Sequence, residues 1–283
     1  MSERRVGSFQ LSVRRQGQAN VLEGLQQQGC CRILFPHQSF SRRVEGLDVV
    51  LINTSGGLVS GDAIDGQFVC HSGAVLSVTA QGAERVYKQR VKDNHVDITF
   101  HARVDSGALF EWLPCETIFY DGASYRRQMR VDLALDGGFL SGECRVFGRL
   151  GAGERVDTLF LYDRVSVYRD NVPVFIEPVR LDCGQGGMQR VFSHQAVMAE
   201  QRVMLSILWV PPQSQAERLQ DMLKAAREIV MCYDRAVEAA VSSWNGVLVV
   251  RAYGARLHVV WPLLRQLMGM LRNGRKEPLS WQK

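Results

Sequence analysis

Three carboxylates stand in unusual company along this chain. Asp62 closes the stretch NTSGGLVSGD (53–62), where Gly56, Gly57 and Gly61 follow a largely apolar run at 47–52. Glu143 lies in SGECRVFGR (141–149), and Glu177 lies in PVFIEPVRL (173–181). A carboxylate oxygen is a labile ligand that can hold a divalent ion in transit without trapping it. Glycines supply positive φ and bare amides, which leaves a neighbouring aspartate room to line a cavity. The competing account of Asp62 is turn chemistry, with the side chain capping its own loop. Glu177 has two accounts as well: a wet or salt-bridged strand face, or burial with a partner. Parity does not choose between them, because Glu177 shares a face with Phe175 while Val174 and Ile176 take the other.

Other chemistries find less support. A nucleophile needs a positioned base. No G-x-S-x-G elbow occurs, and Ser60 beside Gly61 lacks the framing glycines. Cys115 in WLPCE has no local base, although His101 or His194 could meet it in space. GQGGMQR (184–190) lacks the Gly-Lys-Ser/Thr end of a phosphate loop, and G-x-G-x-x-G is absent. The six histidines, at 37, 71, 95, 101, 194 and 258, form neither HxH nor HExxH. Cys70–His71 and Cys30–Cys31 are adjacent pairs, and neighbours on a strand face opposite ways. Neither pair is expected to share an ion, and no fixed metal cage is expected. A carboxylate-dotted path for a metal needs no such motif. The seven cysteines, 30, 31, 70, 115, 144, 183 and 232, include no CxxC. Reduced, mostly buried thiols of a cytosolic protein are the expectation.

The elements that must position these groups are mostly strands. In HVDITFHARV (95–104), Val96, Ile98, Phe100, Ala102 and Val104 alternate with polar residues. YRRQMRVDLAL (125–135) puts Met129, Val131, Leu133 and Leu135 inward, and DTLFLYDRVSV (157–167) alternates more loosely. CHSGAVLSV (70–78), VDSGALFEW (104–112) and LDGGFLSGE (135–143) repeat one strand–turn–strand unit. Their glycines, Gly73, Gly107 and Gly138, recur at a near-regular period, which predicts β-helix-like, solenoid-type stacked strands. After Pro211–Pro212 the pattern becomes helical over 214–240, returns to a strand over 246–253, and becomes helical again over 255–274, with Pro262 inside. The expectation is a mainly β protein: a body over 1–210 and an α/β portion over 211–283 that packs on it as one continuous domain.

Composition bounds the rest. Apolar residues make up 46% of 283, enough for a sizeable core. A net charge of +5 is spread along the chain and is a weak signal for nucleic acid. No apolar stretch follows the charged N-terminus, and runs such as VMLSILWV (203–210) are too short to cross a bilayer. A soluble, cytoplasmic protein with neither nucleic acid nor membrane as partner is expected.

Several of these stretches fall, in order, along one known family. GGLVSGD (56–62), GAERVYKQ (82–89), EWLPCETIFYDGA (111–123), VFGR (146–149), DRVSVYRDNVPVFIEPVRL (163–181) and the terminal PLSW (278–281) resemble the motifs of the urease accessory protein D family, also called H. The chain departs from them at Thr54–Ser55, Ser60, Glu84–Arg85–Val86, Cys115 and Leu279–Ser280. The resemblance implies a non-catalytic chaperone of metallocentre assembly, β-helix-like with two helices. It implies binding to apo-urease and to accessory protein F, which brings in the GTPase accessory protein G. It implies no tightly bound cofactor, only nickel in transit through an internal tunnel. Asp62, Glu143 and Glu177 match the family's implicated acids. Trp112, Tyr120 and Trp281 are candidates for a partner interface, and the second helix with the tail is a candidate dock for accessory protein F. Two rivals stay open: a carbohydrate-active β-solenoid with paired acids in a groove, and an adaptor with no metal role.

Overall fold

The computed structural model describes residues 6–38, 40–90, 94–233 and 235–282. The first strands are β1 (Val6–Gln16), β2 (Ala19–Gly29), β3 (Cys31–Leu34), β4 (Leu47–Asn53), β5 (Ala63–Cys70) and β6 (Val75–Ala80). Next come β7 (Glu84–Val86), β8 (Val96–Val104), β9 (Leu109–Leu113), β10 (Thr117–Phe119), β11 (Ala123–Leu133) and β12 (Gly138–Phe147). The chain ends with β13 (Leu159–Arg169), β14 (Val172–Cys183), β15 (Val203–Val210), β16 (Glu238–Trp244) and β17 (Val247–Gly254). The helices are α1 (Phe40–Glu45), α2 (Gly187–Ser193), α3 (Leu219–Met231) and α4 (Leu257–Leu271).

The fold is mainly β, in two sheets. One runs β14-β13-β11-β8-β5-β1-β2, and the other runs β16-β17-β15-β12-β9-β6-β4-β3 with β7 and β10 beside it. From β4 to β13 the main strands alternate between the sheets, and neighbours within each sheet are parallel. The glycine turns stack: Gly73 N–H donates to Ser106 and Gly107 N–H to Asp136. The third turn, 134–137, is as long as the other two, but Asp136 stands where they have Gly73 and Gly107, and Gly138 already begins β12. The arrangement as a whole does not show the expected regular solenoid. Both sheets are open and mixed, because the chain adds antiparallel pairs at their margins: β1–β2, β13–β14, β12–β15 and β15–β17–β16.

Strand parity sets three layers. On β12, Phe139 and Phe147 face the first sheet while Leu140 and Cys144 face the helices. Phe68, Phe100, Phe110 and Trp112 form an aromatic cluster between the sheets, with neighbouring centroids 5.0–6.1 Å apart. On the far side, Leu263, Leu264, Leu267 and Met268 of α4 pack on Leu205, Ile207, Leu248 and Val250. α4 approaches closely because β12 offers Gly142, where a Cβ would meet Met268 Cε at 2.7 Å. β15 is buried along its whole length because it is covered on both faces.

The helical expectation over 214–240 is too long. A 3-10 turn occupies Gln213–Arg218, α3 follows, and Glu238 already belongs to β16. β17 draws these residues into a sheet, and tertiary pairing overrides the alanine-rich preference. α4 begins at Leu257, ahead of Pro262, and runs through it. Leu135 is 59% exposed, because β11 stops at Leu133 and the alternation stops with it.

Candidate functional site

An inward-facing arginine is the first feature that strand alternation delivers. Arg127 shares a face with Tyr125, Met129 and Val131 of β11, all buried. Asp163 lies directly beside it on β13. From the opposite sheet, β12 points Glu143 and Arg145 at the pair. Arg127 donates to Asp163 through Nε at 2.8 Å and Nη2 at 3.0 Å, and to Glu143 Oε2 through Nη2 at 2.8 Å. Its Nη1 also bonds Glu143 Oε1. Arg145 donates to Asp163 through Nε at 3.0 Å and Nη2 at 2.5 Å. Trp112 Nε1–H donates to Glu143 Oε1 at 2.8 Å. Two cations and two anions thus neutralise one another with every member at most 7% exposed. Burial pushes the Glu143 carboxyl up, but Arg127 and Arg145 overcome it and hold it down at about 2.

A second buried cluster looks the other way. Trp112 faces the first sheet, so its neighbour Glu111 faces the helices. Glu111 is fully buried. It accepts from Arg272 Nη2 at 2.9 Å, Arg275 Nη2 at 2.5 Å and Ser77 Oγ at 2.5 Å. Burial raises its carboxyl, yet Arg275 and Arg272 win and lower it to about 2. This cluster fastens the end of α4 to β9.

The first cluster belongs to a longer polar seam. On one side lies a cavity of about 80 Å³ between the sheets, mostly apolar through Leu51, Ile52, Ile64, Ile98, Phe100 and Trp112, with Arg127, Tyr125, Cys115, Cys31, Asn53 and Glu84 also lining it. Asn53 and Glu84 also line a surface pocket floored by Gly56 and Gly57. They meet through Asn53 Nδ2–H donating to Glu84 Oε1 at 3.3 Å, so this pair partitions cavity from surface. On the other side Arg145 reaches Ser206 Oγ at 3.4 Å. Ser206 is in register with Arg251, whose Nε donates to Glu177 Oε1 at 3.0 Å.

Asp62 bonds within its own loop. Its Oδ2 accepts the Val59 N–H at 3.0 Å, and its own N–H returns a bond to the Val59 carbonyl. Asp62 therefore does cap its loop, yet it is buried, and its charge is felt at Glu84 and Cys30 inside. Gly56, Gly57 and Gly61 have φ of 78°, 136° and 95°. Only glycine fits at 57, where a Cβ would stand 2.4 Å from the Tyr87 ring. Glu177 is half-buried and salt-bridged to Arg251. Asp62 lines neither the cavity nor the surface pocket, Glu143 lies in the central cluster and Glu177 beyond it, and the three acids do not face one groove.

The aromatic candidates divide. Trp112 is 4% exposed in the core, and Trp281 is 5% exposed against Trp261. Tyr120 is half-buried, edge-on to Tyr87 and under Arg149. Cys115 is half-buried with Sγ 3.5 Å from the Ala80 carbonyl, beside the cavity. Among the described residues, no group of three or more His, Cys, Asp or Glu is disposed to enclose a metal ion.

Glu84 carries a pH dependence. Burial is the main cause pushing its carboxyl up from 4.5 to about 7, against the hydrogen bond from Asn53, and Asp62 adds to the rise. The folded chain keeps this proton where the unfolded chain has lost it. Stability at this group is therefore fully present below 4.5 and is lost as pH rises to about 7, at about 1.4 kcal/mol per pH unit. Glu84→Gln is expected to match the parent at pH 4 and to exceed it at pH 8 by about 2–3 kcal/mol. Urea midpoints at the two pH values check this.

Fold and seam together define a β scaffold threaded by internal polar groups, with helices braced on one side. The family model for the UreD urease accessory protein matches residues 5–282. A urease accessory protein UreD from Dinoroseobacter shibae is 31% identical over 283 residues, covering 99% of this chain and 93% of that protein. The one from Paracoccus denitrificans is 34% identical over 263 residues, covering 92% and 88%. The chain belongs to the UreD urease accessory protein family. An accessory role in urease maturation is what this membership supports. Among the described residues no helix is long and apolar enough to cross a membrane.

Proposed function

We propose that this chain is a cytoplasmic maturation scaffold that holds apo-urease against the accessory F and G proteins and passes nickel along the polar seam. The observation that carries the reading is continuity. The surface pocket at the glycine loop, the Asn53–Glu84 partition, the cavity, the Arg127–Glu143–Arg145–Asp163 cluster and the Arg251–Glu177 pair follow one another through the intersheet space. The alternating parallel strands from β4 to β13 act as a short β-helix-like body that walls it. In the middle of the seam the arginines already satisfy both carboxylates, so a nickel ion advances there by exchanging partners with a guanidinium rather than by falling into a waiting cage. No tight resident site is needed. Tyr120 and the segment following α4 are the surfaces assigned to partners, while Trp112 and Trp281 support them from beneath.

The role itself is checked by reconstitution. Apo-urease, accessory proteins F and G, nickel, GTP and bicarbonate are incubated with and without this chain. Urease activity is expected only when the chain is present. Equal activity without it would remove the maturation role.

A further inference from the structure

Adjacent cysteines on a regular strand cannot share a ligand, and on that ground Cys30–Cys31 is not expected to form a site. The chain breaks the alternation. β2 ends at Gly29, where φ is +67°, and Cys30 forms the turn into β3. A Cβ on Gly29 would stand 1.8 Å from the Val6 carbonyl oxygen, so only glycine makes this turn. The turn swings Cys30 to the same side as Cys31. Both sulfurs converge over Gly7, where a Cβ would lie 2.5 Å from Cys31 Sγ and 2.8 Å from Cys30 Sγ. The two sulfurs lie close enough to influence each other's ionisation. Cys30 is 9% exposed and Cys31 is 1% exposed, but Cys31 lines the cavity shared with Asn53 and Glu84. Its sulfur is reached from inside the seam.

The surroundings choose the chemistry. Burial is the main reason both thiols are held above their ordinary range, with Cys31 pushed up to about 12. Asp62 and Glu84 add to this at Cys30, and Glu84 adds to it at Cys31, opposed there by Arg32. Such a field suppresses a bare thiolate, and with it nucleophilic or redox work. It favours a divalent cation, which brings the positive charge two thiolates need.

We propose that Cys30 and Cys31 form a two-sulfur site for a thiophilic divalent metal ion, with Asp62 supplying negative charge around it and Glu84 adding to it once ionised. Each sulfur gives up its proton to solvent and donates an electron pair to the metal. Water in the cavity completes the coordination. The site does not depend on the conduit reading, because it is tested by binding alone.

The test is a Cd²⁺ titration of the full chain, reduced and then freed of reductant under anaerobic conditions. We expect one equivalent to bind with sulfur-to-cadmium charge-transfer absorption and release of about two protons. Cys30→Ser and Cys31→Ser should each weaken binding roughly tenfold or more, while the exposed Cys232→Ser should leave it unchanged. Gly7→Ala keeps both thiols but drives a methyl group between them, and should weaken binding in the same direction. A folded Cys30→Ser or Cys31→Ser chain that binds Cd²⁺ as tightly as the parent overturns the proposal. A measurement on the parent chain removes any dependence on how the variants fold. Phenylarsine oxide condenses with two thiols and releases water, so peptide mapping should place one arsenic bridge across Cys30 and Cys31. A bridge elsewhere, or none, also overturns the proposal.

Discussion

Glu111→Ala is expected to lower the unfolding free energy by about 3–5 kcal/mol. The carboxylate is fully buried and is the shared acceptor of Arg272, Arg275 and Ser77. Truncation leaves two guanidinium groups facing a hole, and Arg272 is itself only 4% exposed. The loss is larger than one hydrogen bond because a stranded buried charge carries its full desolvation penalty. The pH dependence has a definite sign. The folded carboxyl titrates at about 2 rather than 4.5, so its stabilisation is present above 4.5 and disappears as pH falls toward 2. Glu111→Ala should accordingly differ most from the parent at neutral pH and converge with it in acid. Denaturant midpoints and slopes at pH 7 and pH 3 read this directly. A difference under about 1 kcal/mol at pH 7 would mean that solvent reaches the cluster.

Arg127→Met should also cost about 3–5 kcal/mol, for the mirror-image reason. It removes the cation that bridges Glu143 and Asp163 and leaves Arg145 alone against two buried anions. A sharper expectation concerns the pair. Adding Glu143→Gln to Arg127→Met removes the uncompensated negative charge and leaves Arg145 paired with Asp163. The double variant should therefore recover about 1–3 kcal/mol relative to Arg127→Met. A double-mutant cycle by chemical denaturation measures this, and a strictly additive result would show that the four side chains do not act as a unit.

Strand periodicity made much of this architecture legible. Val96, Ile98, Phe100, Ala102 and Val104 are buried as their alternation predicts, because a strand's period is a local property. Parity left the β14 acid Glu177 between a wet or salt-bridged face and burial with a partner, and it is half-buried and salt-bridged to Arg251. The ionic clusters were not legible. Glu111 meets Arg272 across 161 residues, and Arg127 meets Asp163 across 36, and no local pattern encodes such partners. One signal was present: Arg127 falls in the inward parity of Met129 and Val131, and a charge on an inward face needs a partner. The Cys30–Cys31 geometry was not legible either, because strand alternation is broken at Gly29, where φ is positive, and both sulfurs come to lie by Gly7.

The measurement that bears most directly on the seam is nickel loading of urease by a reconstituted mixture carrying Asp62→Asn or Glu177→Gln. The Asp62→Asn change keeps a side-chain oxygen for the Val59 amide while removing the charge, and residue 177 lies at a half-exposed edge. Each variant is predicted to assemble with its partners like the parent, yet to lower nickel incorporation and urease activity. Unchanged nickel loading in both, with assembly intact, would contradict the conduit and leave a scaffold that works by placement alone.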